Sequence, residues 1–102
     1  MSQQKTPPQP DVTLTQTADY RDSYSNSVQV RMSVWDFFLV FGNMHQESSD
    51  RVEIKNFQGI YLSPQQAKAL LNVLSHNVAQ YEQTFGKLSL EPQLPPASGP
   101  VH

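Results

Sequence analysis

The chain has 102 residues, a net charge of −2 and no cysteine, so disulfide and cysteine–zinc staples are excluded. Seven Lys and Arg against nine Asp and Glu, with no basic run, leave nothing to neutralise a phosphate backbone, so nucleic acid is not an expected partner. The opening "MSQQKTPPQP" lacks the apolar stretch of a secretory signal, and no apolar run approaches the roughly 20 residues needed to span a bilayer. The expectation is a soluble cytoplasmic protein without membrane contact.

Residues 1–22 are polar and carry Pro7, Pro8 and Pro10, and read as a flexible arm that buries too little to offset ordering. Val12 and Leu14 alternate with Thr13 and Thr15, which leaves room for a short edge strand. Residues 89–102 form a proline-rich tail expected to be disordered. Its "PQLPP" run favours extended polyproline geometry, which suits either a solvated tail or docking into an aromatic groove. The folded part is therefore expected at 23–88. A domain of that size has a marginal core when alone and usually needs a metal or a partner chain where disulfides are absent.

In "SNSVQVRMSV", Val28, Val30, Met32 and Val34 alternate with Gln29, Arg31 and Ser33, the mark of a strand with one buried face. "WDFFLVFGN" follows. Trp35, Phe37, Leu39 and Phe41 share one side, and Asp36, Phe38 and Val40 the other. A turn near Ser33–Asp36 makes the two segments a hairpin, without the Asn-Gly signature that would set its register. Gly42 is expected to end the second strand, and "NMHQESSD" to form a polar loop. "RVEIKNFQGIYLS" is the third strand, with Val52 and Ile54 opposite Glu53 and Lys55. Gly59 inside it suggests a bulge or bend.

Ser63 is a good N-cap, Pro64 suits the first helical position, and Gln66 completes a capping box. Gly86 stands where helices usually end in a left-handed residue. Between them, Ala67, Leu71, Leu74, Val78, Tyr81 and Phe85 step by four and three, a heptad seam suited to another helix. Leu70 and Val73 widen the stripe, and a wide stripe also suits a sheet. The opposite side carries Gln65, Lys68, Asn72, Ser75, His76, Gln80 and Gln83.

The fold class expected is α+β: a three-stranded antiparallel sheet followed by one long C-terminal helix. The second strand is apolar on both sides, and one helix covers one side of a sheet. The helix is expected to cover its own sheet with part of its stripe. The remaining apolar surface is then expected at a contact with a second copy or another protein, through Trp35, Phe38, Val40, Leu71, Leu74, Val78, Tyr81 and Phe85. Trp35 also suits an ordinary core position.

Chemistry is thinly represented. His45, Glu47 and Asp50 share one loop but match no metal-ligand spacing, and a structural site needs three or four convergent ligands. No Gly-x-Ser-x-Gly elbow surrounds a serine, the four glycines are scattered, and Asp36 and Glu82 are single carboxylates. No catalytic residue, metal or cofactor is expected, and the chain is read as a non-enzyme. Were a ligand site built across a subunit interface, Tyr24, Asn26, Asp36 and Tyr61 would be the residues to inspect.

The stretches "YSNSVQVRMSVWDFFLVFG" and "GIYLSPQQAKALLNVLSHNVAQYEQTFG" resemble a small bacterial and archaeal family of unknown function. The shared pattern is an Asn-x-Val-x-Val strand, an acidic-Phe-x-Leu-x-Phe strand, a Leu-Ser-Pro helix start with a following Ala-Lys, and a Tyr-Glu-x-x-Phe-Gly helix end. It covers about Tyr24 to Lys87, and Tyr81, Glu82, Phe85 and Gly86 are its most specific piece. Val40 stands where the pattern often has an acidic residue. The resemblance supports the fold and implies no activity. A fainter, fold-level likeness to SecB-like export chaperones rests on the alternating strands. It implies a holdase as the alternative to a homo-oligomeric protein-interaction module.

Overall fold

The computed structural model describes residues 9–90. The outer part of the N-terminal arm, residues 1–8, and most of the proline-rich tail, 91–102, lie outside the described residues. The fold is α+β, as expected: β1 (Ser27–Met32), β2 (Phe37–Ser48), β3 (Arg51–Leu62) and then α1 (Pro64–Phe85). The sheet is antiparallel in the order β1-β2-β3. Val12 and Leu14 form no edge strand; both are exposed, in irregular backbone.

The first hairpin turns at Ser33–Asp36. Ser33 N donates to Asp36 O at 2.8 Å, and Ser33 Oγ accepts from the backbone N–H groups of Trp35 and Asp36. The serine hydroxyl thus does locally what an Asn-Gly pair would do through backbone conformation. Trp35 lies on this turn outside either strand and is 81% exposed, so its core reading is overturned.

Gly42 does not end β2. The strand continues to Ser48, and "NMHQES" is ladder, with Met44 opposite Ile54 and Gln46 opposite Val52. The chain needs glycine at 42 because the strands come close there: a Cβ would stand 2.5 Å from Asn56 Oδ1 and 2.9 Å from Lys55 O. The irregularity expected at Gly59 lies elsewhere. Phe41 pairs with Gln58 and Gly42 with Asn56, which leaves Phe57 as the extra residue of the bulge. A second irregularity at Glu47 precedes the tight Ser49–Asp50 reversal. No non-glycine residue among those described has positive φ, so this reversal is not of the primed type usual in two-residue hairpins, and the added residue supplies the twist instead.

The helix begins and ends where its signals stand. Ser63 Oγ accepts from Gln66 N at 3.1 Å, which is the backbone half of the capping box. Gly86 has φ 111° and ψ 165°, open to glycine but outside the left-handed helical region expected. Its N–H donates to Glu82 O, and Leu88 N donates to the Glu82 carboxylate at 3.0 Å. Neither terminal turn carries a charge that complements the helix dipole. Stability of so bare a helix must come from packing.

That packing is absent within one copy. α1 meets the sheet slightly, at β3, and no helix residue is buried. Only Pro64, Ala67, Leu70 and Glu82 are partly covered. The expectation that the helix covers its own sheet is therefore overturned, and the junction explains why. A single residue, Ser63, separates Leu62 from Pro64, where strand-to-helix connections usually take 2–6 residues. The proline restricts that residue to extended backbone, and Ser63 has φ −64° and ψ 157°. The chain has no slack with which to lay the helix back over the sheet. The molecule is elongated, 74 × 34 × 31 Å, with a radius of gyration of 19.1 Å, against about 13 Å for a compact 100-residue domain.

Candidate functional site

Directly paired residues of an antiparallel sheet share a side, so the register sorts the side chains. One side carries Val28, Val30 and Met32 of β1, Phe37, Leu39 and Phe41 of β2, and Gln58, Ile60 and Leu62 of β3. All of these but Gln58, which stands opposite Phe41, are apolar. The three β2 residues are half-buried by their flanking neighbours, whereas Val28, Val30, Met32 and Ile60 remain exposed. We call this the aliphatic face.

The reverse side is mixed. It carries Gln29, Arg31, Asn56 and Gln46 among Phe38, Val40, Tyr61, Met44 and Ile54. Phe38 stacks on Tyr61, with ring centroids 4.2 Å apart and an interplanar angle of 19°. The Phe38 ring also lies across Gly59, where an added Cβ would stand 2.7 Å from it. Glycine at 59 therefore makes room for an aromatic ring from the neighbouring strand.

The third apolar surface is the seam of α1. Leu71, Leu74, Val78, Tyr81 and Phe85 are all exposed, from 43% at Val78 to 72% at Phe85. Tyr81 and Phe85 lean on each other with centroids 4.9 Å apart. The interface residues expected from sequence thus fall into three places. Trp35 is on the turn, Phe38 and Val40 are half-buried on the mixed face, and the five helix residues form one open stripe. Val28, Val30, Met32 and Ile60 were missed because the aliphatic face was assigned to the chain's own helix. Their alternation with Gln29 and Arg31 was the available signal.

Tyr24, Asn26, Asp36 and Tyr61 do not converge. Asn26 extends the ladder: its N–H donates to Gly42 O, and its Oδ1 accepts from Met44 N at 2.7 Å. Asp36 belongs to the turn, six residues along β2 from Gly42, or about 20 Å at strand rise. Ser25 Oγ likewise ties the arm to Gly42, donating to its carbonyl oxygen and accepting from its N–H. Among the described residues no three of His, Asp and Glu gather as a metal-ligand group, and His45, Glu47 and Asp50 lie along the distal hairpin.

Between residues 19–25 and the aliphatic face lies an open concavity of about 1250 Å³, walled by Tyr20 and Tyr24 on one side and Phe41 and Ile60 on the other. The Asp22 carboxylate accepts from the Tyr20 hydroxyl at 2.6 Å and raises that phenol above its ordinary range. None of the described helices is long and apolar enough to cross a membrane.

A three-stranded antiparallel sheet with a projecting helix and open apolar faces defines the architecture. The chain matches the family described as Protein of unknown function (DUF3467) over residues 1–90 and belongs to it. No curated protein and no solved structure matches it.

Proposed function

We propose that the chain is a non-catalytic protein-interaction module that works as a homo-oligomer, a dimer at the least. One observation carries this reading: among the described residues no hydrophobic side chain is buried within one copy. Full burial of a Leu, Val or Phe side chain contributes roughly 1.5–3 kcal/mol, and a two-layer domain needs such burial to fold. With no cysteine in the chain, a second copy is the staple that remains at hand. The non-catalytic part of the reading rests on the residues themselves, which offer single carboxylates, no nucleophile elbow and no phosphate loop.

Light scattering on a sizing column at micromolar concentration tests it. A mass of two chains or more is expected; a stable folded monomer would refute the reading. The open faces also favour a second reading, a holdase that shields unfolded chains. It requires apolar grooves that stay open after assembly. Strong binding of an apolar dye to the native oligomer, with suppression of aggregation of a test protein, would put it first.

A further inference from the structure

We infer that the aliphatic sheet face of each copy is covered by α1 of the other, in a reciprocal exchange of helices. This deepens the self-assembly reading and rests on it. Each copy presents one apolar sheet face, centred on Val30, Leu39 and Ile60, and one apolar helix stripe. Helix-on-helix pairing would satisfy the stripes and leave both sheet faces wet. Sheet-on-sheet pairing would leave both helices wet. Two-fold exchange covers all four surfaces at once, because in an isologous contact each patch meets its complement twice.

Three further observations agree. The helix leaves its own sheet all but uncovered, with Ser63 as the whole connection and Pro64 favouring extended backbone there. A short hinge of this kind is what drives exchange of an element between protomers. The areas also suffice. Val28, Val30, Met32, Ile60 and the exposed helix side chains from Leu71 to Phe85 are between 41% and 72% open. At side-chain areas of roughly 150–200 Å² they offer on the order of 800 Å² per copy, the share one partner gives to a standard interface. Finally, the seat is walled: the concavity between the 19–25 segment and the face, with Tyr20 and Tyr24 on its outer side, has room for the edge of a helix.

The natural absence of cysteine makes the test direct. Val30→Cys is prepared in a mass-tagged chain, and Leu74→Cys and Val78→Cys in untagged chains. Each pair is unfolded and refolded together, treated with a short bismaleimide and resolved by denaturing electrophoresis. Sheet-to-helix products are expected in several-fold excess over helix-to-helix products, with Ile60→Cys replacing Val30→Cys if the latter fails to fold. A dimeric parent that yields mainly helix-to-helix products overturns the exchange and leaves self-assembly standing. A monomeric parent overturns both. A second measurement needs no cysteine: inserting Gly-Ser-Gly-Ser after Leu62 gives α1 the slack to return to its own sheet. The solution mass should then fall from two chains to one, and an unchanged mass would overturn the exchange.

Discussion

Phe38 and Phe41 are three residues apart on the same strand and meet different surroundings. Phe38 is settled by its own chain, with Tyr61 stacked on it and Gly59 leaving room beneath the ring. Phe41 sits between Val28 and Gln58 on a face that meets its own chain only across the open concavity beside residues 19–25. A two-sided apolar strand therefore does not imply two uncovered faces. On one side a glycine and an aromatic stack sit among polar neighbours that tolerate water, with Tyr61 left 65% exposed. The other has Gln58 as its one polar residue between Phe37 and Phe41 and leaves Val28, Val30, Met32 and Ile60 exposed, so the search for partners belongs there.

The largest test of this contrast is a charge placed on either side of β1. Val30→Asp puts a carboxylate in the aliphatic face, where burial without a partner costs several kcal/mol. Loss of assembly by light scattering and loss of cooperative unfolding by circular dichroism are expected. Arg31→Asp, one residue on and on the mixed face, should leave mass unchanged and stability within about 0.5 kcal/mol. Equal damage from both would erase the distinction.

Gly59→Val comes next. Its Cβ would meet the Phe38 ring at 2.7 Å, and overpacking of that kind costs about 1–3 kcal/mol. The urea midpoint should fall while the oligomer mass holds, since Phe38 packs on Tyr61 of its own chain. A simultaneous loss of mass would place Phe38 at the contact.

Much of this fold was legible in the sequence, for local reasons. The alternation from Val28 to Met32 marks β1, and Ser63, Pro64 and Gly86 bound the helix because caps act within a few residues. β2 was read too short because Gly42 and the polar run after it look like a stop. What extends the strand is a neighbour, the Val52 and Ile54 positions opposite Gln46 and Met44, and pairing is not a local signal. Gly59 suggests a bulge or bend from sequence, whereas its role is set by a ring from another strand. The heptad stripe was visible in full, yet periodicity records that a helix face is apolar and says nothing of which chain lies against it.

Smaller effects sharpen the picture. In a double-mutant cycle, Phe38→Leu with Tyr61→Leu should couple by about 0.5–1.5 kcal/mol, whereas Phe41→Leu with Tyr61→Leu, on opposite sides of the sheet, should show none. Ser63→Ala removes the hydroxyl that accepts from Gln66 N and should cost about 1 kcal/mol in thermal unfolding. Glu47→Ala removes an exposed pair with Arg51 at 3.9 Å and should shift the same transition by no more than about 0.5 kcal/mol.

The β1–β2 turn has one more consequence. Its tip carries Trp35, the only tryptophan in the chain, held out into water by the bonds that Ser33 makes beneath it. The protein is thus supplied with a single intrinsic fluorophore at the end of the sheet from which α1 departs. Its emission should lie near that of free indole while the tip is bare, and move to the blue with reduced quenching by iodide when anything settles there. A titration by ordinary fluorescence, with no label added, would then report when that end of the sheet is covered.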